Sequence, residues 1–89
     1  MTLRIETSES EKALTFALSG RLDAQGTVEL HRLVDGHGGG KHLILDLEDV
    51  RLVDRSAVKF LAFCESGGIR LESCPAYIRD WISREESAE

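Results

Sequence analysis

The alternation of apolar and polar residues predicts two strands at the start of the chain. In residues 2–6 apolar and polar side chains alternate, which is the period of a half-buried strand. In residues 13–19 the large apolar side chains fall on one face and small residues occupy the other. The polar segment 7–12 has a length that suits a hairpin loop. We therefore expect a β-hairpin whose second strand ends at Gly20.

The hydrophobic period then changes from that of a strand to that of a helix. Apolar residues recur at helical spacing through 28–34, and Asp23 or Thr27 can provide the N-cap. The glycine-rich segment 36–40 should end this helix. Residues 43–47 are almost continuously apolar, a pattern typical of a central strand that is covered on both faces.

The remaining sequence predicts two more helices and a short strand. Asp54 is well placed as the N-cap of a second helix that closes at the glycines 67–68. Residues 69–72 alternate like a strand near a sheet edge, and Pro75 begins an amphipathic last helix. We expect residues 83–89 to form a flexible acidic tail. The order β-β-α-β-α-β-α predicts one α/β domain over residues 1–89, a mixed four-stranded sheet with packed helices.

Composition and charge exclude several classes of function. The 89 residues are enough for a single small domain. Eleven basic and 16 acidic residues give a net charge of −5, which argues against nucleic acid or an anionic bilayer as partner. The N-terminus lacks the pattern of a secretory signal, and no apolar run is long enough to cross a membrane. Cys64 and Cys74 lack C-x-x-C spacing, so we expect reduced thiols in a cytoplasmic protein without direct membrane insertion.

The sequence contains no convincing catalytic or metal-binding motif. The glycine-rich segment 36–42 has a histidine where a phosphate-binding loop needs serine or threonine, and it leads from a helix into a strand. The three histidines lack companion cysteines at ligand spacing. The carboxylates between residues 46 and 54 are spread over a strand and a loop, and Cys64 lies mid-helix among apolar neighbours. We therefore expect a protein that is not an enzyme and that uses neither a metal nor a cofactor.

One segment resembles a known family. Residues 43–58 read as an apolar strand ending in Asp-Leu, a short loop, an apolar pair and an aspartate that opens a helix. This pattern resembles the core of the STAS domains, the anti-sigma-factor antagonists and their relatives. The segments 18–23 and 68–75 are similar to the family's second strand with its following aspartate, and to its fourth strand with the proline-started helix. The resemblance implies a single STAS-like domain over nearly the whole chain.

The resemblance also implies a partner-binding surface, with one important difference from the family. The residue after the helix-opening aspartate is, in anti-sigma-factor antagonists, a serine that a partner kinase phosphorylates. Arg55 occupies that position here and is unable to accept phosphate, which leaves Ser56 as the candidate phosphoacceptor. The family mode would place five residues near one surface: Asp23, Asp54, Arg55, Ser56 and Lys59. A capped helix start with exposed polar residues is the simpler alternative.

The resemblance leaves more than one function open. The leading hypothesis is a non-catalytic, regulatory protein–protein interaction module from a bacterial cytoplasm, whose partner is an anti-sigma factor or similar kinase. The alternative is an accessory STAS subunit of an ABC-type lipid transporter, whose partner is the transporter's ATPase subunit. A small-molecule binder is a third class, without a phosphate-cradling motif to support it. Self-association into a homo-oligomer is left open.

Overall fold

The computed structural model describes residues 3–36 and 42–87. The described residues form four strands and three helices in the expected order. The elements are β1 (Leu3–Glu9), β2 (Ala13–Leu22), α1 (Ala24–Gly36), β3 (His42–Val53), α2 (Arg55–Ser66), β4 (Arg70–Glu72) and α3 (Ala76–Ser87). Most of the glycine-rich segment after α1 lies outside the described residues.

The four strands form one mixed sheet in the order β1-β2-β3-β4. β1 and β2 are an antiparallel hairpin, as the alternating pattern predicts. β2 and β3 run parallel, as do β3 and β4, so α1 and α2 are the crossover connections between neighbouring parallel strands. The expected α/β architecture with a mixed four-stranded sheet is therefore confirmed.

The three helices form one layer, because α2 contacts both α1 and α3. The large apolar side chains of the central strands point into this layer, and the most deeply buried include Phe16, Leu45 and Leu61, each fully inaccessible. The expectation that β3 is covered on both faces is wrong. Ile44 and Asp46 alternate with the buried residues of β3 and remain partly exposed, because both crossover helices pack on the same side of the sheet.

Three strands are longer than the sequence pattern predicts, since pairing with a neighbour extends them. Residues 7–9 belong to β1 rather than to the hairpin loop. β2 continues past Gly20, whose φ of 91° lies in the left-handed region that glycine adopts without strain. β3 is a single strand whose alternation of buried and exposed residues is interrupted after Leu47. The register shift opposite residues 17–19 accommodates this interruption. Asp46 stabilises this irregularity by accepting a hydrogen bond from the backbone N–H of Glu48 at 3.0 Å.

The last helix also differs from expectation at its C-terminal end. α3 continues to Ser87, so residues 83–87 are helical and the expectation that a flexible tail begins at residue 83 is wrong. The physical reason is tertiary packing: Ile82 is fully buried and the side chain of Glu85 is only 16% exposed. Residues 88 and 89 lie outside the described part of the chain.

Candidate partner-binding surface

Two of the expected site residues, Asp23 and Asp54, follow neighbouring parallel strands. Leu22 at the end of β2 is in register with Val53 at the end of β3. The aspartates are the next residues along the chain, and the backbone N–H of Asp54 donates to the carbonyl of Leu22 at 3.4 Å. Parallel pairing thus brings Asp23 and Asp54 close together at the carboxyl ends of β2 and β3, where α1 and α2 begin.

Both aspartates cap helices. Asp54 has extended backbone angles, φ −111° and ψ 179°, and its Oδ1 accepts a hydrogen bond from the N–H of Ala57 at 2.9 Å. Asp23 Oδ1 accepts from the N–H of Gly26 at 2.9 Å, which identifies Asp23 as the N-cap of α1. Thr27, the other candidate cap, donates its hydroxyl to the carbonyl of Asp23 at 2.8 Å. The two carboxylates therefore have a structural role that is independent of any partner.

Arg55, the first residue of α2, is held by an ion pair. Its Nε lies 3.3 Å from Oε2 of Glu85 in the last turns of α3. The two side chains differ in accessibility, since Arg55 is 69% exposed and Glu85 only 16%. The pair connects the start of α2 to α3 and leaves most of the guanidinium in solvent. The start of α2 therefore carries an exposed basic side chain that is tethered to α3.

The remaining two expected residues lie on the exposed side of α2. Ser56 and Lys59 are both exposed, and with Arg55 they occupy the side of the helix opposite the buried residues. Phe63 follows Lys59 one turn later on the same side and is 70% exposed. We call the surface formed by Arg55, Ser56, Lys59 and Phe63 the α2 face. The structure thus places three of the five expected residues on one face of α2. The two aspartates lie at the carboxyl ends of β2 and β3, where they cap α1 and α2.

Sequence reasoning missed two residues of this region. Phe63 counts as one of the apolar positions of α2 in the sequence pattern, but Ala57, Leu61 and Cys64 define the buried side, and a period of 100° per residue puts Phe63 opposite them. That period could have identified it. Glu85 falls in the segment predicted as a tail, and no sequence signal links it to Arg55.

A shallow groove runs along the α2 face toward α3. It encloses about 600 Å³. Its lining combines the basic Lys59, the apolar Phe63 and the acidic Glu85 and Glu86. An exposed aromatic ring between charges of both signs is a common arrangement at protein–protein interfaces, where aromatic residues act as anchors.

The cysteines are poor nucleophiles. Both are free, and burial raises the pKa of the Cys64 thiol to about 12, with a further contribution from the negative charge of Asp35. Burial also raises the pKa of Cys74, where the positive charge of Arg79 partly opposes it. Because the thiolate is the reactive form, neither environment activates its cysteine.

Among residues 3–36 and 42–87, no group of three or more histidine, cysteine or acidic side chains is placed to hold a metal ion. His31 instead lies 3.2 Å from Asp35 and packs against the ring of Phe60, and His37 is outside the described residues. Within the same residues, none of the helices has the length and apolar character needed to cross a membrane.

Comparison with known proteins identifies the fold. No family model and no curated protein matches the sequence. Among solved structures, Mglu matches 80% of this chain with a TM-score of 0.61 at 21% identity, and the match covers 19% of Mglu. An uncharacterised protein of the DUF3478 family from Shewanella loihica PV-4, with a SpoIIAA-like fold, matches 79% of the chain with a TM-score of 0.52 at 14% identity, over 62% of its own length.

The third match is to an anti-sigma factor antagonist. Unphosphorylated SpoIIAA matches 79% of the chain with a TM-score of 0.52 at 16% identity, and the match covers 69% of SpoIIAA. At these identities the likeness concerns the fold rather than a shared activity. Together with the strand order and the single helix layer, the comparisons show that this chain has the SpoIIAA-like fold, which is the fold that the resemblance to STAS domains implies.

Proposed function

We propose that this chain is a non-catalytic, regulatory protein–protein interaction module that binds its partner through the α2 face. The observation that carries the proposal is the 70% exposure of Phe63 in a groove that is also lined by the basic Lys59 and the acidic Glu85 and Glu86. An aromatic side chain held in water gains free energy when a partner covers it. The α2 face begins at the segment that resembles the switch region of anti-sigma-factor antagonists, which supports the same surface.

The proposed module works without the serine switch of those relatives at position 55. Arg55 is unable to accept a phosphate as a serine would, and its ion pair with Glu85 already orients the guanidinium. Phosphorylation would then not change the side chain that the partner meets at position 55. Asp23 and Asp54 contribute by holding the starts of α1 and α2 in place, while Arg55, Ser56 and Lys59 contact the partner.

Affinity purification from the native host tests the α2 face. Phe63→Ala removes the exposed ring without touching the core, and loss of an aromatic anchor should weaken capture by about tenfold or more. Tyr77→Ala is the matched control, since Tyr77 is an exposed aromatic residue on α3, 48% accessible and outside the α2 face. Capture that is equal for wild type and Phe63→Ala would contradict the proposal.

The identity of the captured protein separates the two classes of partner. A kinase-like anti-sigma factor from the cytoplasm supports the regulatory role. A transporter ATPase that purifies with a membrane fraction instead indicates an accessory STAS subunit of an ABC-type lipid transporter.

Phosphorylation of Ser56 is tested separately. If a kinase is captured, incubation with it and ATP followed by intact-mass measurement shows whether the chain accepts a phosphate. Ser56→Ala is the control, because an added phosphate that persists in this variant lies elsewhere.

A further inference from the structure

The outer edge of the sheet at β1 has a self-complementary pattern of side chains. β1 stands at one end of the strand order, so its outer edge has no neighbouring strand among residues 3–36 and 42–87. Leu3 and Ile5 point toward the helix layer, where they are partly buried. Arg4 and Glu6 point to the other face and form an ion pair at 3.4 Å, with side chains 77% and 67% exposed.

The helix layer covers the apolar side of β1 incompletely. α1 packs over β2, the next strand in the sheet, so a groove of about 510 Å³ remains beside β1. Leu3 and Ile5 form its strand side, and Val28 of α1, which is 57% exposed, is the apolar residue of its helix side. Polar side chains also line that side, namely those of Asp23, Gln25 and Glu29. An edge strand with unpaired backbone groups next to exposed apolar side chains is a surface that another strand can extend.

We propose that β1 pairs antiparallel with β1 of a second copy of this chain, with the two Ile5 residues opposite each other. Pairing across a two-fold axis would join the two sheets into a continuous sheet of about eight strands and bring the partly exposed Leu3 and Ile5 of both copies together near the axis. Both copies would use the same residues, as a two-fold interface requires.

Charge favours this register over the two neighbouring registers, which are centred on Arg4 and on Glu6. Residues directly opposite in antiparallel strands share a face, so the helix layers of both copies stay on one side only when a residue of β1 faces its own equivalent. Centring the pair on Arg4 would place two arginines opposite each other, and centring it on Glu6 would oppose two glutamates. Centring it on Ile5 places Arg4 opposite Glu6 of the second copy, twice, which favours this pairing.

The proposal is independent of the α2 face. β1 lies at one end of the sheet, whereas α2 connects β3 and β4 at the other end. A dimer formed through β1 would leave the α2 face of each copy accessible to a partner.

Charge reversal and complementation test the dimer. Sedimentation equilibrium on the purified chain should show twice the monomer mass at high protein concentration. Arg4→Glu and Glu6→Arg should each weaken self-association at least tenfold, because each variant brings like charges together. Mixing the two variants should restore association, since one copy then carries two acidic residues and the other two basic residues on the facing strands.

Matched controls exclude effects on folding. Arg70→Glu reverses the charge of an equivalent exposed pair, Arg70 with Glu72 at 3.2 Å, at the opposite end of the sheet, and it should leave association unchanged. Circular dichroism should give the same spectrum for all variants. The proposal is overturned if the wild type is monomeric up to millimolar concentration, if either single reversal associates like the wild type, or if the mixed variants fail to associate.

Discussion

The residues around the start of α2 make different contacts, and the sequence alone does not distinguish residues that stabilise the helix from residues that are free to bind a partner. Asp54 accepts a hydrogen bond from the N–H of Ala57 and so caps the start of α2, where this backbone group would otherwise be unsatisfied. Arg55, the next residue, forms its ion pair with Glu85 of α3. Ser56 and Lys59 are exposed. Substitution of Asp54 should therefore change the stability of the domain, whereas substitution of the exposed residues that follow it should change partner binding.

Asp54→Ala should lower the free energy of unfolding by about 1 kcal/mol, because it removes the N-cap of α2. Urea denaturation followed by circular dichroism measures the change. Asp54→Asn keeps an oxygen that accepts from the Ala57 N–H and should retain most of the stability. A loss of partner capture by Asp54→Asn with unchanged stability would show that the carboxylate contacts the partner directly, contrary to the purely structural role assigned to it.

At the scale of single elements, β3 is the strand on which the core depends. It pairs with β2 along one side and with β4 along the other. Leu45 and Leu47 are fully buried beneath the helices, whereas Leu52 near the end of the strand is 50% exposed. The sequence pattern identifies 43–47 as a central strand. Coverage of only one of its faces depends on the direction of both crossovers, which no local pattern encodes.

Leu45→Ala should destabilise the domain by about 2–5 kcal/mol, since it removes a fully buried side chain from close-packed surroundings. A domain of this size has little stability in reserve, so the variant should be largely unfolded or should melt at a much lower temperature. Leu52→Ala is the matched control on the same strand and should change the stability by less than about 1 kcal/mol. Thermal unfolding measures both. Similar losses for the two variants would contradict the burial difference.

At the scale of the whole molecule, the fold separates two surfaces. The α2 face and the β1 edge belong to different ends of the sheet and share no residue. Free energies of substitutions at distant sites without common contacts usually add. The domain can therefore present a partner surface and a self-association surface at once, although it contains only 89 residues.

Combining Phe63→Ala with Arg4→Glu should show that the two surfaces act independently. Phe63→Ala should leave the association of β1 edges unchanged, and Arg4→Glu should leave the affinity of each copy for a captured partner unchanged. Sedimentation and titration calorimetry with the purified partner measure the two quantities. Because a dimeric module can bind a multivalent partner more tightly, the calorimetry is carried out with partner in solution rather than on a surface. Coupled effects would contradict the separation.

The order of the elements, the N-cap at Asp54 and the apolar setting of Cys64 in α2 can be predicted from the sequence, because they follow from hydrophobic period and local hydrogen bonding. Where those elements meet depends on how they pack in three dimensions. Parallel pairing brought Asp23 beside Asp54, and helix packing extended α3 far enough for Glu85 to reach Arg55. Such contacts join residues distant in the chain, so they depend on how the sheet and its helices pack rather than on any local pattern.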